Sequence, residues 1–129
     1  MKANELIIGD WVKYGNRFAI VKGIDTNLCH IMVSCNGNDE LIWETYDNIE
    51  PIPITHEILE KNEFYAQANI GYIIDDYDGV QIIYDSWNHN LRIIKNYKVC
   101  LDIETFDDIA VHELQHALKL CEIEREIKL

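Results

Sequence analysis

Apolar positions alternate with polar ones in short runs over most of the chain, and they shift to helical spacing in only two places. Asp10–Tyr14 runs into a turn at Gly15-Asn16. In Arg17–Ile24, Phe18, Ile20 and Lys22 take one face and Ala19 and Val21 the other. Leu28–Ser34 follows. Asn36 and Gly37 both tolerate positive φ and predict a hairpin into Glu40–Glu44. Asn48–Glu50 reads as a last short strand. Five short strands with tight turns predict a small SH3-like barrel. Pro51 and Pro53 prevent further strand or helix and stiffen the exit. Thr55 then caps a short helix over His56–Asn62, with Ile58 and Leu59 inward and Asn62 as its stop.

The second half repeats the alternating pattern in Ala68–Ile74, Val80–Tyr84, Leu91–Ile94 and Lys98–Leu101. Asp78-Gly79 and Trp87-Asn88-His89-Asn90 supply turns. A final helix is predicted from Thr105 as N-cap, with Asp107 and Asp108 in the first turn, where negative charge favours the helix dipole. Phe106, Ala110, Leu114, Ala117, Leu118 and Cys121 recur at its spacing. The expected class is α+β: an N-terminal SH3-like small β-barrel, a short helix, an antiparallel β-meander and a C-terminal helix. The expected subdomains are 1–53 and 54–129, packed as one unit.

A length of 129 residues and an apolar fraction of 48% suit one domain, or two small subdomains sharing a core. The net charge is −12, from 23 acids and 11 bases. Residues 1–64 carry 11 acids and 5 bases, and residues 65–129 carry 12 and 6, so there is neither an acidic tail nor a basic patch. Direct nucleic-acid binding is disfavoured, because phosphate contacts need clustered Lys or Arg. The field favours a protein partner with a basic surface. Cys29, Cys35, Cys100 and Cys121 form no C-x-x-C pair. With no secretory-type opening before Asp10, they read as reduced core residues of a cytoplasmic protein. No apolar run reaches membrane-spanning length.

His112-Glu113-Leu114-Gln115-His116 spells H-E-x-x-H, in which two His one turn apart can grip zinc while the Glu acts as general base. On a wheel of about 100° per residue, His112 and His116 share the polar face with Asp108, Gln115 and Lys119. A catalytic zinc needs a third protein ligand. The extended motif is absent, since Lys119 and Glu122 stand where its Gly and last His belong. Only thirteen residues follow His116, too few for a second helix packed back against the first. Glu122, Glu124 and Glu126 lie on or just past the same helix, which leaves His30, His56, His89 or an aspartate as upstream candidates. The expectation is therefore no catalytic residue, cofactor or metal, with a zinc metallohydrolase using His112, Glu113 and His116 as the alternative. Asp75, Asp76 and Asp78, with Gly79 and Asp85, only faintly resemble a calcium loop: Ile74 falls at the first ligand position. Trp11, Trp43 and Trp87, with seven Tyr, serve either as core or as an interaction surface.

Three blocks carry a resemblance. They are Lys2–Leu6 with Ile8–Val12, Ile49–Thr55 with Glu57–Leu59, and Val111–Gln115. In this order they resemble a family of small uncharacterised proteins from Bacteroides-type bacteria, their prophages and mobile elements. The resemblance spans almost the whole chain and implies a cytoplasmic accessory protein, with no activity or catalytic set to carry over. The chain departs from the usual helix stop at Glu63, where a Gly would be expected before Phe64. The leading expectation is a non-enzymatic acidic interaction protein of phage or mobile-element origin, one concrete form being an inhibitor of a host protein. A zinc hydrolase is the second reading. A small-ligand binder is the third, for which only the two-part architecture speaks.

Overall fold

Strand registers are set by short turns at their ends and by which face of each strand is apolar. The computed structural model describes residues 5–35, 40–75, 79–104 and 109–129. The chain divides into two units, Met1–Ile52 with Ala110–His112, and Pro53–Ile109 with Glu113–Leu129.

The first unit holds β1 (Trp11–Tyr14), β2 (Arg17–Asp25), β3 (His30–Cys35), β4 (Leu41–Thr45) and β5 (Ile49–Glu50), with a single 3-10 turn at Tyr46–Asn48 before β5. These form one antiparallel sheet in the order β4-β3-β2-β1-β5. Alternation sends Val12, Ala19, Val21, Ile31 and Val33 inward, where they join Leu6, Cys35, Tyr46 and Ile49 in one core. Burying a Val or Ile side chain contributes about 1.5–3 kcal/mol, more than the roughly 1 kcal/mol of a typical cap. The apolar face therefore outweighs any single turn in fixing register. Asp10 is fully buried at the entry to β1. Its Oδ2 accepts from the Ile7 N–H at 2.8 Å, and its carbonyl accepts from the Val21 N–H at 2.9 Å.

The second unit holds α1 (His56–Lys61), a five-stranded antiparallel meander and most of α2 (Val111–Leu120). The meander is β6 (Tyr65–Gln67), β7 (Gly71–Asp75), β8 (Val80–Asp85), β9 (Asn90–Lys95) and β10 (Lys98–Glu104), in the order β10-β9-β8-β7-β6. Its strands bury Ile74, Ile82, Tyr84, Leu91 and Ile93, and α2 buries Leu114, Ala117 and Leu118. Thr55 caps α1, its Oγ1 accepting from the Ile58 N–H at 3.2 Å. Buried Asn62 ends α1 and ties down the C-terminal segment: its Nδ2 donates to the Lys128 carbonyl at 2.8 Å and its Oδ1 accepts from the Lys128 N–H at 2.7 Å.

The molecule is thus α+β with mostly antiparallel strands, and it departs from the sequence reading in four places. Leu28 lies in a loop, not a strand, because the Asp25 carboxylate accepts from the Asn27 and Leu28 N–H groups and turns the chain there. The single strand read over Ala68–Ile74 is a turn followed by β7, with β6 lying before it: Asn69 and Gly71 have φ of +67° and +110°. Ala110, read as part of the last helix, lies before it: among the described residues that helix begins at Val111, whose N–H is bonded to the Ile52 carbonyl at 2.8 Å. Two of the four cysteines, Cys29 and Cys100, are exposed, whereas Cys35 and Cys121 are buried. The Asn36-Gly37 hairpin, the Asp76 and Asp78 positions and the Thr105 cap lie outside the described residues. Among the described residues no helix is long and apolar enough to cross a membrane.

Candidate functional site

The β6–β7 turn and the β8–β9 loop form the two sides of a groove of about 740 Å³ in the second unit. Its lining runs over residues 66–72 and 85–88. Gly71 allows the two sides to meet: a Cβ there would run into the Tyr84 carbonyl and come within 3.0 Å of the Asp85 Cα. Its φ of +110° is likewise one that L side chains avoid.

Asp85 builds the other side. Its Oδ1 accepts from the N–H groups of Trp87 at 3.0 Å and Asn88 at 3.2 Å, and its Oδ2 accepts from Asn88 Nδ2 at 2.7 Å. The Asn88 side chain first, opposed by partial burial and helped by the two backbone donors, holds the Asp85 carboxyl below the ordinary range. The loop backbone that it holds carries Trp87, 89% exposed. Gln67, Asn69 and Asn88 add neutral amides.

Tyr72, also in the lining, ends a short polar chain. Its hydroxyl lies 2.5 Å from His56 Nδ1, and His56 Nε2 lies 2.7 Å from Glu60 Oε1. With a neutral imidazole, one tautomer satisfies both contacts: the phenol donates to Nδ1 and Nε2–H donates to Glu60. The Thr55 cap sets His56 at the start of α1 and Glu60 one turn later. His56 and Glu60 are more than half exposed, so water screens the chain and it mainly orients the Tyr72 ring.

The residues singled out from sequence are placed as follows. His112 is buried, 5% exposed, whereas the helical wheel put it on a polar face. Glu113 is exposed and His116 half-buried. Among the described residues no group of three His, Cys, Asp or Glu side chains is arranged to hold a metal ion. Trp11 is half-buried on β1, opposite Ile20. Trp43 is 54% exposed on β4, opposite Met32. Trp87 lines the groove. Asp85 accepts from Trp87 and Asn88 in its own turn. Sequence reasoning missed Tyr72, Asn69 and the groove itself. The signal was there in Asn69-Ile70-Gly71, two turn-forming residues inside what reads as one strand.

No protein-family model, curated protein or solved structure matches this chain.

Proposed function

We propose that this chain is a non-enzymatic acidic interaction protein of phage or mobile-element origin that binds a protein partner with a basic surface in the cytoplasm. An inhibitor of a host protein is its concrete form. Large aromatic side chains standing in solvent on a chain of charge −12 carry the reading: Trp87 and Tyr97 are 89% and 98% exposed, and Trp43 is 54% exposed. Interfaces are enriched in Tyr and Trp, and side chains this exposed fit one. Long-range attraction by the acidic charge speeds encounter with a basic partner and works against direct nucleic-acid binding.

The N-terminal subdomain, 1–53, is read as an SH3-like barrel. In support, its strand order is β4-β3-β2-β1-β5 and a 3-10 turn precedes the last strand. Such a barrel is a platform and specifies no reaction. The remaining subdomain, 54–129, is read as the α+β part that carries the groove.

The test is affinity capture from a Bacteroides-type lysate at low salt, with wild type beside Trp43→Ala and Trp87→Ala. One specific partner in near-stoichiometric amount, released by salt and weakened in at least one variant, is the expected result. No specific partner at low salt would overturn the reading. So would stoichiometric zinc in untagged protein that disappears in the His112→Ala, His116→Ala double variant.

A further inference from the structure

We propose that the groove of the second unit docks an extended, arginine- or lysine-bearing segment of the protein partner, with the cationic side chain seated against the Trp87 indole and the Asp85 carboxylate. The proposal rests on the interaction-protein reading for the existence of a partner. The groove supplies the partner's chemistry.

Four observations converge on that occupant. The lining over residues 66–72 and 85–88 contains no Lys, Arg or His. The donors that hydrogen-bond Asp85 are neutral amides, and of the influences on its carboxyl nearby His89 is the smallest. Trp87 offers an indole face in the same loop, and a cation over indole is attracted by the ring quadrupole. Finally, among the described residues β6 is the last strand of its sheet, next to β7 alone in the sheet order, and has all three residues exposed. An edge strand beside a pocket is the arrangement in which an added strand supplies backbone hydrogen bonds and its side chains read the pocket. A volume of about 740 Å³ accepts a long side chain and a few residues of extended backbone. An anionic ligand would meet the charge of Asp85.

The experiment titrates the full chain with a short peptide alternating Arg and Val, followed by amide and indole NMR shifts. A Glu-for-Arg peptide is the control. Shifts confined to residues 65–72 and 85–88 are expected. Binding should weaken about tenfold in Trp87→Ala and similarly in Asp85→Asn, and stay unchanged in Leu28→Ala, an exposed position of the first unit. Trp87 is exposed, so its Ala variant should melt with wild type, which separates lost binding from lost folding. Shifts scattered over many acidic side chains, equal binding by Trp87→Ala, equal binding of the Glu peptide, or self-association at the groove without peptide would each overturn the proposal. Lysate capture undiminished in Trp87→Ala sinks the groove proposal and leaves the interaction reading standing. Peptide binding at the groove with no partner recovered does the reverse.

Discussion

Glu63 and Glu122 both have positive φ, +71° and +55°, one residue past the cap of a helix. Each closes the same hydrogen-bond pattern. After α1 the Phe64 N–H reaches the Leu59 carbonyl at 3.0 Å and the Glu63 N–H reaches that of Glu60 at 3.1 Å. After α2 the Ile123 N–H reaches Leu118 at 2.9 Å and the Glu122 N–H reaches Lys119 at 3.0 Å. This is the Schellman arrangement, in which the left-handed position normally holds Gly. A glutamate there carries the steric cost of its Cβ against the backbone. Tyr97 shows the same economy: it has φ +66° beside Asn96 at +53° in the β9–β10 hairpin, where Asn-Gly is the usual pair. Glu122→Gly should therefore stabilise the protein by about 0.5–1 kcal/mol, the relief of the left-handed strain exceeding the added entropy of the unfolded chain. Urea denaturation reads this directly, and a lower midpoint for the variant would contradict it.

At the junction of β4 with the 3-10 turn, Glu44 gathers three donors. Asn48 Nδ2 donates at 2.6 Å and the Thr45 N–H at 3.1 Å to Oε1, and the Tyr14 hydroxyl donates at 3.0 Å to Oε2. Asn48 first, then Thr45 and Tyr14, hold Glu44 below the ordinary carboxylate range, and the bond to Glu44 raises Tyr14. The depressed carboxyl contributes stability above its unfolded value and loses it as pH falls through its folded value. The raised phenol contributes below its unfolded value and loses it as pH rises through its folded one. Tyr14→Phe should move the Glu44 titration, followed by NMR, up toward the ordinary range, and Asn48→Ala should move it further. An unmoved Glu44 would show that the strand-to-turn junction is not held this way. The strands at this junction were legible because alternation is local: Val12, Ala19, Val21, Ile31 and Val33 announce their face in sequence. Elements that depend on distant partners were not. The start of α2 depends on a bond from Val111 to Ile52, and a helical wheel sees only its own helix, so it cannot bury His112. The groove needed two turns 15 or so residues apart to come together, and one of them hid inside an apparent strand, its Asn69 and Gly71 read as strand interior.

Across the whole molecule the excess of acid is even, with 11 acids to 5 bases in residues 1–64 and 12 to 6 in residues 65–129. Like charges held together in a folded chain repel one another more than in the expanded one, so the charge of −12 opposes folding. Salt screens this: the Debye length falls from about 30 Å at 0.01 M to about 8 Å at 0.15 M, leaving contacts such as Arg92–Asp102 at 3.3 Å less affected than repulsion across the molecule. The melting temperature should therefore rise as sodium chloride is raised over that range. Docking of a cationic segment has the opposite sign, because the same ions screen its attraction to Asp85 and to the net charge. One titration with salt thus separates the two roles of the acidic side chains: stability rises while affinity for an arginine peptide falls. If stability fell instead, attractive surface pairs such as Arg92–Asp102 and Arg125–Glu63 would outweigh the repulsion. The acid excess would then have to be understood as part of the fold's own stabilisation, with less of it left over to draw in a partner.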